Sequence, residues 1–402
     1  MFQNRIKTHH SAMADGKKYV IGPKAMVEVL SGHRGSDDKL STIYIHVPFC
    51  TKICSFCNMR RSLQSPNKEY ADHIVREIEN YAKLPYLKDT VFDAVYFGGG
   101  TPTTLSSEEL RKILRALKRY FHFTADAEFT VETTVTQLTE EKMNVLIEEG
   151  VNRFSVGVQT FDNHGRALMG RIGSGEKAYD CLRKLKSYTG VIISMDLIYN
   201  YPNQTMESLY QDLNKIISLD LDGFSMYSLI NMKETSIDPA QEEENDKTMF
   251  YAIAEHMEKA GYQFLELTKM VKKDKYKYIM NRHHGADTLP LGAGAGGSLG
   301  GLARMNPINL VEYEQSINNF QDRVAMLFQQ TYQDIVCFKG DIQTAILPKN
   351  EKLYGDQENY QKFLEELIEH KMVEKYGEIY RLTTKGIFWG NTISRELSSL
   401  LS

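Results

Sequence analysis

The sequence predicts an α/β protein built on a partial TIM-like barrel of about six βα units. Strand-like and helix-like patterns alternate from about Ser41 to about Leu229. Each strand and helix pair takes about 30 residues, which is the length that parallel strands with right-handed crossovers require. Polar residues and glycines stand where several of these strands end, and functional residues of such barrels lie at the C-terminal strand ends.

The barrel elements follow one another in chain order. The helix after Ser106 has the clearest pattern, because Glu109 completes a capping box and leucines and isoleucines recur along one face. Gly150 is expected to stop the helix before it. The predicted strands are Ser41–Val47, Phe92–Phe97, Glu128–Glu132, Arg153–Gln159, Val191–Asp196 and Gly223–Ser228. The other predicted helices are Tyr70–Tyr81, Thr139–Glu149, Glu176–Tyr188 and Met206–Leu219.

The pattern is weaker after Asn231. The acidic run Gln241–Asp246 is expected to be a solvated helix start before a helix over Thr248–Lys259. The run Lys269–Lys277 carries five lysines, and a solvated loop is the simplest interpretation. Nearer the end, an amphipathic helix over Tyr360–His370 precedes a β-hairpin over Met372–Leu382 that turns at Gly377.

Composition excludes two classes of function. The 402 residues carry 48 Lys plus Arg against 52 Asp plus Glu, a formal net charge of −4, so a nucleic-acid binder that neutralises phosphates is not expected. No apolar run approaches the roughly 18 residues that span a bilayer, and the polar start does not have the pattern of a signal peptide. The five cysteines form no paired framework, which fits a reducing cytoplasm. Cys181 and Cys337 stand alone and are expected to pack as small hydrophobic residues.

The other three cysteines lie in one eight-residue segment directly after the first barrel strand. Cys50, Cys54 and Cys57 have the spacing CxxxCxxC, which suits three irons of a cubane [4Fe-4S] cluster. The fourth iron is then open to a reactive ligand. Zinc is the alternative, but it would require a fourth Cys or His nearby, and Met59 and Arg60 stand there instead.

The sequence YIHVPFC…CSFC around these cysteines resembles the radical S-adenosylmethionine (SAM) superfamily, and within it the HemN-like branch. That branch contains oxygen-independent coproporphyrinogen-III oxidases, a haem chaperone, methyltransferases and anaerobic haem-degrading enzymes. The resemblance extends from Thr42 into the C-terminal region and implies a (β/α)6 barrel whose open iron chelates SAM. It also implies that the C-terminal helix and hairpin form a winged-helix-like α+β domain, which we interpret as a lid or substrate wall. The expected divisions are an N-terminal extension (1–40), the barrel (41–230), an extension with a glycine-rich segment (231–325) and the C-terminal domain (326–402).

Family positions imply the contacts of the cluster-bound SAM. The glycines after the second strand match the motif that contacts its amino group, and the glycine-rich run Leu291–Gly301 is expected to close over it. Because that run has few side chains to pack, a flat cofactor edge or a planar substrate is expected on its surface. His46 is expected to hold the cysteine loop, with a cluster-side hydrogen-bond donor or proton relay as the alternative. The expected cofactor contacts are Tyr44, Phe56, Gly99, Gly100, Thr101, Glu132, Ser228 and Gly296.

Three further residues predict a second ligand. Gln159, Arg171 and Asp196 place an amide, a cation and a carboxylate near adjacent strand ends. That set suits the carboxylate, amino group and ribose of a second zwitterion. In the coproporphyrinogen oxidases the matching residues, with Phe56 and Thr101, bind a second SAM, so the resemblance implies two SAM molecules and a catalytic function for this set.

Three departures narrow the function within the branch. The oxidases carry a further cysteine where this chain has Met59, so oxidative decarboxylation is not favoured. The chaperones carry an HNxxYW motif where this chain has Asn281-Arg282-His283-His284, and the only tryptophan is Trp389. The segments VNRFSVGVQTFD, DLDGFSMYSL and GAGAGGSLGG are most similar to the anaerobic haem-utilisation enzymes, or anaerobilin synthases.

The similarity to that subgroup implies a three-step reaction on haem. One SAM is cleaved to a 5′-deoxyadenosyl radical, the radical activates the methyl group of a second SAM, and the resulting methylene radical opens the macrocycle with release of iron. A flavodoxin- or ferredoxin-type protein would supply electrons. His283 and His284 are candidates for haem contacts, although histidines on a solvated turn are the simpler interpretation, and the Lys269–Lys277 lysines are candidates for propionate contacts. Haem delivery by a chaperone, radical methylation or cyclopropanation of another conjugated substrate, and a coproporphyrinogen oxidase-like activity remain alternatives.

Overall fold

Six parallel strands form the centre of the fold in the computed structural model, as the alternating patterns predict. The structure describes residues 1–7, 16–35, 40–230, 235–237, 243–347 and 357–401. The start of the predicted acidic run, at Gln241, lies outside these residues. No helix among the described residues has the length and apolarity to cross a membrane.

The strands and helices have the following bounds. The strands are β1 Val20–Ala25, β2 Ser41–Val47, β3 Val91–Gly99, β4 His122–Thr134, β5 Arg153–Gln159, β6 Ile192–Tyr199, β7 Gly223–Ser228, β8 Gln263–Glu266, β9 Lys269–Val271, β10 Thr288–Leu291, β11 Gly296–Leu299, β12 Leu302–Met305, β13 Val324–Phe328, β14 Ile346–Leu347, β15 Val373–Tyr376 and β16 Ile379–Leu382. The helices are α1 Met26–Leu30, α2 Tyr70–Ala82, α3 Pro85–Lys88, α4 Ser107–Tyr120, α5 Glu140–Glu148, α6 Asn163–Leu168, α7 Gly175–Lys186, α8 Met206–Ser218, α9 Glu243–Lys259, α10 Lys277–His283, α11 Leu310–Asn318, α12 Thr331–Gln343, α13 Gln357–Glu369, α14 Thr384–Phe388 and α15 Gly390–Ser399.

The barrel strands belong to a larger sheet with the order β1-β13-β12-β11-β10-β2-β3-β4-β5-β6-β7-β9-β8. Strands β2 to β7 are the six predicted parallel strands, and β10 adds a seventh beside β2. The flanking strands β11, β12, β13 and β1 pair antiparallel. A separate sheet, β14-β16-β15, contains the hairpin that the sequence predicts near Gly377.

Local sequence accounts for most element boundaries. Ser106 and Glu109 form the predicted capping box at the start of α4, and Thr139 caps α5. Strand β4 begins at His122, six residues before the predicted start at Glu128. The prediction missed this part because its first five residues are mostly exposed and lack the apolar pattern of a buried strand. The glycine-rich run forms β11 and the turns beside it.

The lysine run Lys269–Lys277 closes the N-terminal end of the barrel. The prediction of a solvated loop was wrong for two of its lysines. Lys269 is fully buried on β9, where its ammonium donates to Ser194 Oγ at 2.5 Å and pairs with Asp274 at 3.2 Å. Lys277 begins α10 and pairs with Asp93 at 3.0 Å near the start of β3. Lys269 and Lys277 are thus committed to protein groups, which argues against propionate contacts by these two, whereas Lys273 and Lys275 are exposed as predicted.

The acidic run is also not simply solvated. Asp246, on α9, is fully buried and pairs with Arg5 at 2.9 Å and Lys7 at 3.0 Å. Arg5 also donates to the Phe388 carbonyl at 2.7 Å, so the N-terminal residues join the barrel side to the C-terminal domain. This long-range pairing has no signature in the local charge pattern.

Arg153, Lys269 and Asp274 form a buried charge cluster inside the barrel. Arg153 donates two hydrogen bonds to Asp274, each 2.8 Å long, from Nε and Nη2. Burial by itself would raise the pKa of Asp274, but the two cations hold it well below its usual range. Burial lowers the pKa of Lys269, and Asp274 partly offsets that effect.

Replacing Asp274 with Asn is expected to destabilise the fold by about 3–5 kcal/mol, because it leaves two buried cations without their carboxylate. The matched control is Asp220→Asn, which breaks an exposed 2.9 Å pair with Lys272 and should cost less than about 1 kcal/mol. Urea unfolding of both variants measures the difference. Equal losses would show that the buried cluster has no special weight.

Candidate active site

The cysteine loop is held at its base by backbone hydrogen bonds and at its tip by a side-chain hydrogen bond. Cys50 N donates to Ser62 O at 2.9 Å, and Ser62 N donates back to Pro48 O at 2.6 Å. At the tip, Ser55 Oγ donates to Leu168 O at 2.8 Å, which ties the loop to α6. The loop therefore presents its thiols from a fixed frame beside the C-terminal ends of β2 and β3.

The three loop thiols fit a cubane better than a single metal ion. All three are free and partly exposed. Burial raises the pKa of Cys50 and of Cys57, and the charges of the neighbouring loop thiolates raise both further, so the thiols lie within electrostatic reach of one another. Among the described residues, no three His, Cys, Asp or Glu side chains converge as ligands of one ion. A cubane takes one thiolate per iron, so spaced thiols are what it requires.

Two of the predicted residues contact these thiols directly. Arg171 Nη1 donates to Cys54 Sγ at 3.2 Å, and Thr101 Oγ1 lies 3.7 Å from Cys50 Sγ. A cation beside a thiolate stabilises its charged form, which is the form that binds iron. Arg61 was not predicted, but its guanidinium donates to the Cys57 carbonyl and fixes the end of the loop.

The glycines after β3 are required mainly by the protein backbone. A Cβ built at Gly100 would lie 2.6 Å from Phe49 O, and one at Gly99 would lie 2.9 Å from Val47 O. Gly99 also has a φ of 116°, which favours glycine. The triple glycine thus lets β3 approach the cysteine loop, and the predicted SAM contacts of Gly99 and Gly100 remain a prediction.

Tyr44 and His46 form a hydrogen-bonded pair whose proton positions the geometry assigns. His46 Nε2 lies 3.0 Å from the Arg60 carbonyl, which can only accept, so Nε2 carries the proton. Nδ1 then accepts from the Tyr44 hydroxyl at 2.9 Å. Burial lowers the pKa of His46, which keeps this neutral form. His46 therefore holds both the cysteine loop and the Tyr44 hydroxyl, in agreement with the simpler of its two predicted functions.

Glu132 lies inside the barrel mouth beside Tyr44. A Cβ built at Gly98 would meet Glu132 Oε2 and the Tyr44 ring, each at 3.0 Å, so both side chains cover this glycine. Tyr96 donates to Glu132 Oε1 at 2.5 Å. Burial raises the pKa of Glu132 to about 7, and the Asp196 charge contributes in the same direction. An enclosed carboxylate of this kind is suited to a cationic ligand.

The structure brings Gln159, Arg171 and Asp196 together, as the second-ligand prediction requires. The Gln159 amide nitrogen and an Arg171 guanidinium nitrogen both lie over Gly157, at 3.2 and 3.4 Å from a Cβ built there. Gln159 follows a break in strand register and has a φ of 72°, an uncommon conformation for this residue. Its Oε1 is buried without a hydrogen-bond partner. Burial raises the pKa of Asp196, while Lys269, Arg153 and Arg171 favour its charged form.

Arg166 positions Arg171, and no motif in the sequence identified it. It is buried, and its guanidinium donates to the carbonyls of Val158, Thr160, Ile172 and Gly173 at 2.8–3.1 Å. The Arg171 backbone also donates to Arg166 O at 2.8 Å. Burial lowers the pKa of Arg166 to about 10, so it remains a cation near neutral pH.

Three other predicted contacts lie at the margins of this site. Ser228 accepts from Lys7 Nζ at 3.0 Å, so in this structure its hydroxyl serves the N-terminal segment. Phe56 packs against the apolar group around Met169 and Leu229, below the cysteine loop. Gly296 is half-buried on β11, next to the turn that contacts His46.

The glycine-rich run is not free for ligands along its whole length. Gly292 packs against the His46 carbonyl, and a Cβ at Gly297 would lie 2.9 Å from the Pro290 ring. Protein atoms therefore explain several of these glycines, which corrects the expectation that a ligand covers the run. His283 also differs from the solvated turn that was expected, because it ends α10 and its Nε2 lies 2.7 Å from Glu266 Oε1.

Comparisons with known proteins find relatives over most of the chain. A model of the Radical SAM superfamily matches residues 44–216. Heme chaperone HemW from Bacillus subtilis is 33% identical over 288 residues, which are 66% of this chain and 73% of that protein. Anaerobilin synthase from Escherichia coli O157:H7 is 28% identical over 376 residues, 89% of this chain and 84% of that protein.

The chain belongs to the HemN-like branch of the radical SAM superfamily. The structure of coproporphyrinogen III oxidase (HemN) from Escherichia coli covers 92% of each chain with a TM-score of 0.77 at 22% identity, which confirms the predicted fold. Radical SAM membership implies a [4Fe-4S] cluster and SAM, and Cys50, Cys54 and Cys57 are the residues that would hold the cluster. When bound, such a cluster supplies one electron to the sulfonium of SAM.

Replacing Cys54 or Cys57 with Ser in this radical SAM protein is expected to abolish stable cluster binding, because a hydroxyl is a poor ligand for iron. Iron and sulfide analysis after anaerobic reconstitution should show about four irons per wild-type chain and a large loss in either variant. Cys181→Ser is the matched control, since Cys181 packs against the core away from the loop. Full iron content in the Cys54 variant would contradict the assignment.

The raised pKa of Glu132 predicts pH-dependent binding of cationic ligands. In the free protein this carboxyl titrates at about pH 7. A nearby cation lowers its pKa, so binding releases a proton, and affinity should rise with pH up to about 7 and then level off. Calorimetry of SAM binding in buffers of different ionisation enthalpy measures the released proton. Glu132→Gln should remove the release, and an unchanged release in that variant would exclude Glu132 as the source.

Proposed function

We propose that the chain acts on haem or a related tetrapyrrole without oxygen, transfers a SAM-derived methylene group to it and opens the macrocycle with release of iron. The observation that carries the proposal is the second polar site of Gln159, Arg171 and Asp196. Its buried amide oxygen has no hydrogen-bond partner in the protein and is available to accept from a ligand. An amino acid zwitterion offers an ammonium donor and a carboxylate, and a ribose offers hydroxyls.

The substrate class is supported by the relatives. Of the two relatives described above, one is named a heme chaperone and the other an anaerobilin synthase. Within that class, the chain has Met59 where the oxidases have a further cysteine, and this side chain is 51% exposed. The only tryptophan, Trp389, packs between Phe2 and Phe388 in the C-terminal region, with ring centroids 5.4 and 5.2 Å away. It is therefore not the tryptophan of an HNxxYW motif such as the chaperones carry.

In this proposal the protein's own residues position and enclose the reactants. Tyr44, held by His46, and Glu132 would face the first SAM, while Gln159, Arg171 and Asp196 would orient the second. An acidic flavodoxin- or ferredoxin-type protein would deliver electrons beside the cysteine loop, where Lys52 and Arg60 are exposed on a chain of net charge −4. Haem delivery is the second candidate, and the 33% identical chaperone favours it.

Anaerobic incubation with haem, SAM and a flavodoxin-type reductant tests the proposal. Wild-type protein should lose haem absorbance and form both 5′-deoxyadenosine and S-adenosylhomocysteine. Gln159→Ala should lower S-adenosylhomocysteine formation about tenfold or more, because it removes a charge-assisted contact of the second site, while deoxyadenosine formation persists.

Gln211→Ala, a change of the same kind on the exposed face of α8, is the matched control and should behave as wild type. Haem that binds but stays spectrally intact under these conditions would contradict degradation and favour delivery. Decarboxylation of coproporphyrinogen under the same conditions would favour the oxidase.

A further inference from the structure

The side of the sheet that lines the barrel continues past β2 as an exposed apolar surface. Register places Tyr44 beside Pro290 in the parallel pair β2–β10. In the next pair Thr288 lies opposite Ser298, which brings Pro290 opposite Gly296, and Gly296 pairs with Met305. Neighbouring residues in register present their side chains on the same side of a sheet. Tyr44 and Met305 therefore lie on one face, which is the face that lines the barrel.

Among the residues that the structure describes, no layer covers the large apolar side chains of this surface. Met305 is 52% exposed, Val324 51% and Met326 40%, on adjacent strands β12 and β13. The opposite side of the same strands is covered, since Leu299, Leu302 and Ala325 are buried. We refer to the surface formed by Gly296, Met305, Val324 and Met326 as the apolar face.

The apolar face is continuous with the candidate active site. Tyr44 and Gly296, two predicted SAM contacts, lie in the same row as Met305. Three strand spacings, about 14 Å, separate Tyr44 from Met305. A ligand that contacts both must span this distance, and Gly296 places no side chain between them. A Cβ built at Gly296 would lie 3.3 Å from Met305 Cε, so the row is already closely packed there.

A cation stands at the other end of this row. Arg282, on α10, is exposed, and its Nη1 lies 3.3 Å from the Tyr278 hydroxyl with the guanidinium 5.4 Å above that ring. The Tyr278 ring stacks on Tyr44 at 6.1 Å. Within the described part of the chain Arg282 forms no ion pair, whereas Arg153 and Arg171 inside the barrel are engaged by Asp274 and by Cys54 and Gly157. An arginine that forms no ion pair with the described residues, on the far side of Tyr44 from the apolar face, fits a carboxylate of a ligand that extends past Tyr44.

We propose that the apolar face and Arg282 form the substrate-binding surface, on which a planar macrocycle lies against Met305, Val324 and Met326 while one of its carboxylate side chains pairs with Arg282. This inference rests on the proposed function for the substrate class. It adds which residues bind the substrate and how it lies relative to Tyr44.

Absorbance titration with iron(III) mesoporphyrin and with its dimethyl ester, without SAM or reductant, tests the inference. Arg282→Gln should weaken binding of the free acid about tenfold and leave binding of the ester unchanged, because only the acid pairs with the guanidinium. The double variant Met305→Gln, Met326→Gln should weaken both ligands to a similar extent, about tenfold, through lost apolar contact.

Matched controls separate these effects from general surface changes. Arg183→Gln alters an exposed arginine on α7, and the double variant Ile368→Gln, Ile379→Gln alters exposed apolar residues of the C-terminal domain. If wild type binds the porphyrins and neither Arg282→Gln nor the Met305→Gln, Met326→Gln variant weakens that binding, this inference is overturned and the proposed function stands. Failure of wild type to bind either porphyrin would overturn both.

Discussion

The arrangement of the site depends on one buried interaction, the carboxylate of Asp274 shared by Arg153 and Lys269. Tyr276 follows two residues later with a φ of 45°, and its ring lies 4.2 Å from the Arg153 guanidinium carbon. This strained residue directs α10 into the barrel. Tyr278 of that helix then stacks on Tyr96 at 4.6 Å and on Tyr44 at 6.1 Å. The charge cluster therefore fixes the start of α10 and with it the stacked rings of Tyr278, Tyr96 and Tyr44, which we call the aromatic wall of the active site.

The aromatic wall connects the charge cluster to the chemistry at the mouth. Tyr96 donates to Glu132, and Tyr44 donates to His46, which in turn holds the cysteine loop through Arg60 O. Each hydroxyl thus has a fixed acceptor, and the rings lie against a half-buried carboxylate. Electrostatic interactions are strong in such a place, because the surroundings have a low dielectric constant. A sulfonium ligand brought there would meet oriented groups rather than mobile water.

Sequence patterns predicted the elements that repeat and the residues whose chemistry is local. The six barrel strands, the capping box at Ser106 and the cysteine spacing each depend on residues close together in the chain. The contacts that fix the site do not. Asp274 meets Arg153 across 121 positions, and Arg166 acts through backbone carbonyls that have no sequence signature. The lysine run was misinterpreted for the same reason. A charge count does not reveal that Asp274, which stands among these lysines, is buried and pairs with the buried Lys269. The sequence also does not reveal that neighbouring backbone leaves no room for a side chain at Gly100 and Gly292.

The glycine-rich segment is best understood as a fixed wall. Glu77, fully buried on α2, accepts from Gly292 N at 2.9 Å, from Tyr313 at 2.6 Å and from Arg323 at 2.7 Å. Tyr70 accepts from Ala293 N at 3.0 Å and donates to His46 O at 2.7 Å, which joins this segment to the strand that precedes the cysteines. Moving the segment would break these hydrogen bonds and leave buried acceptors with one donor fewer, which costs free energy. It follows that Glu77 and Tyr70 hold the start of the glycine-rich segment against the strand that precedes the cysteine loop.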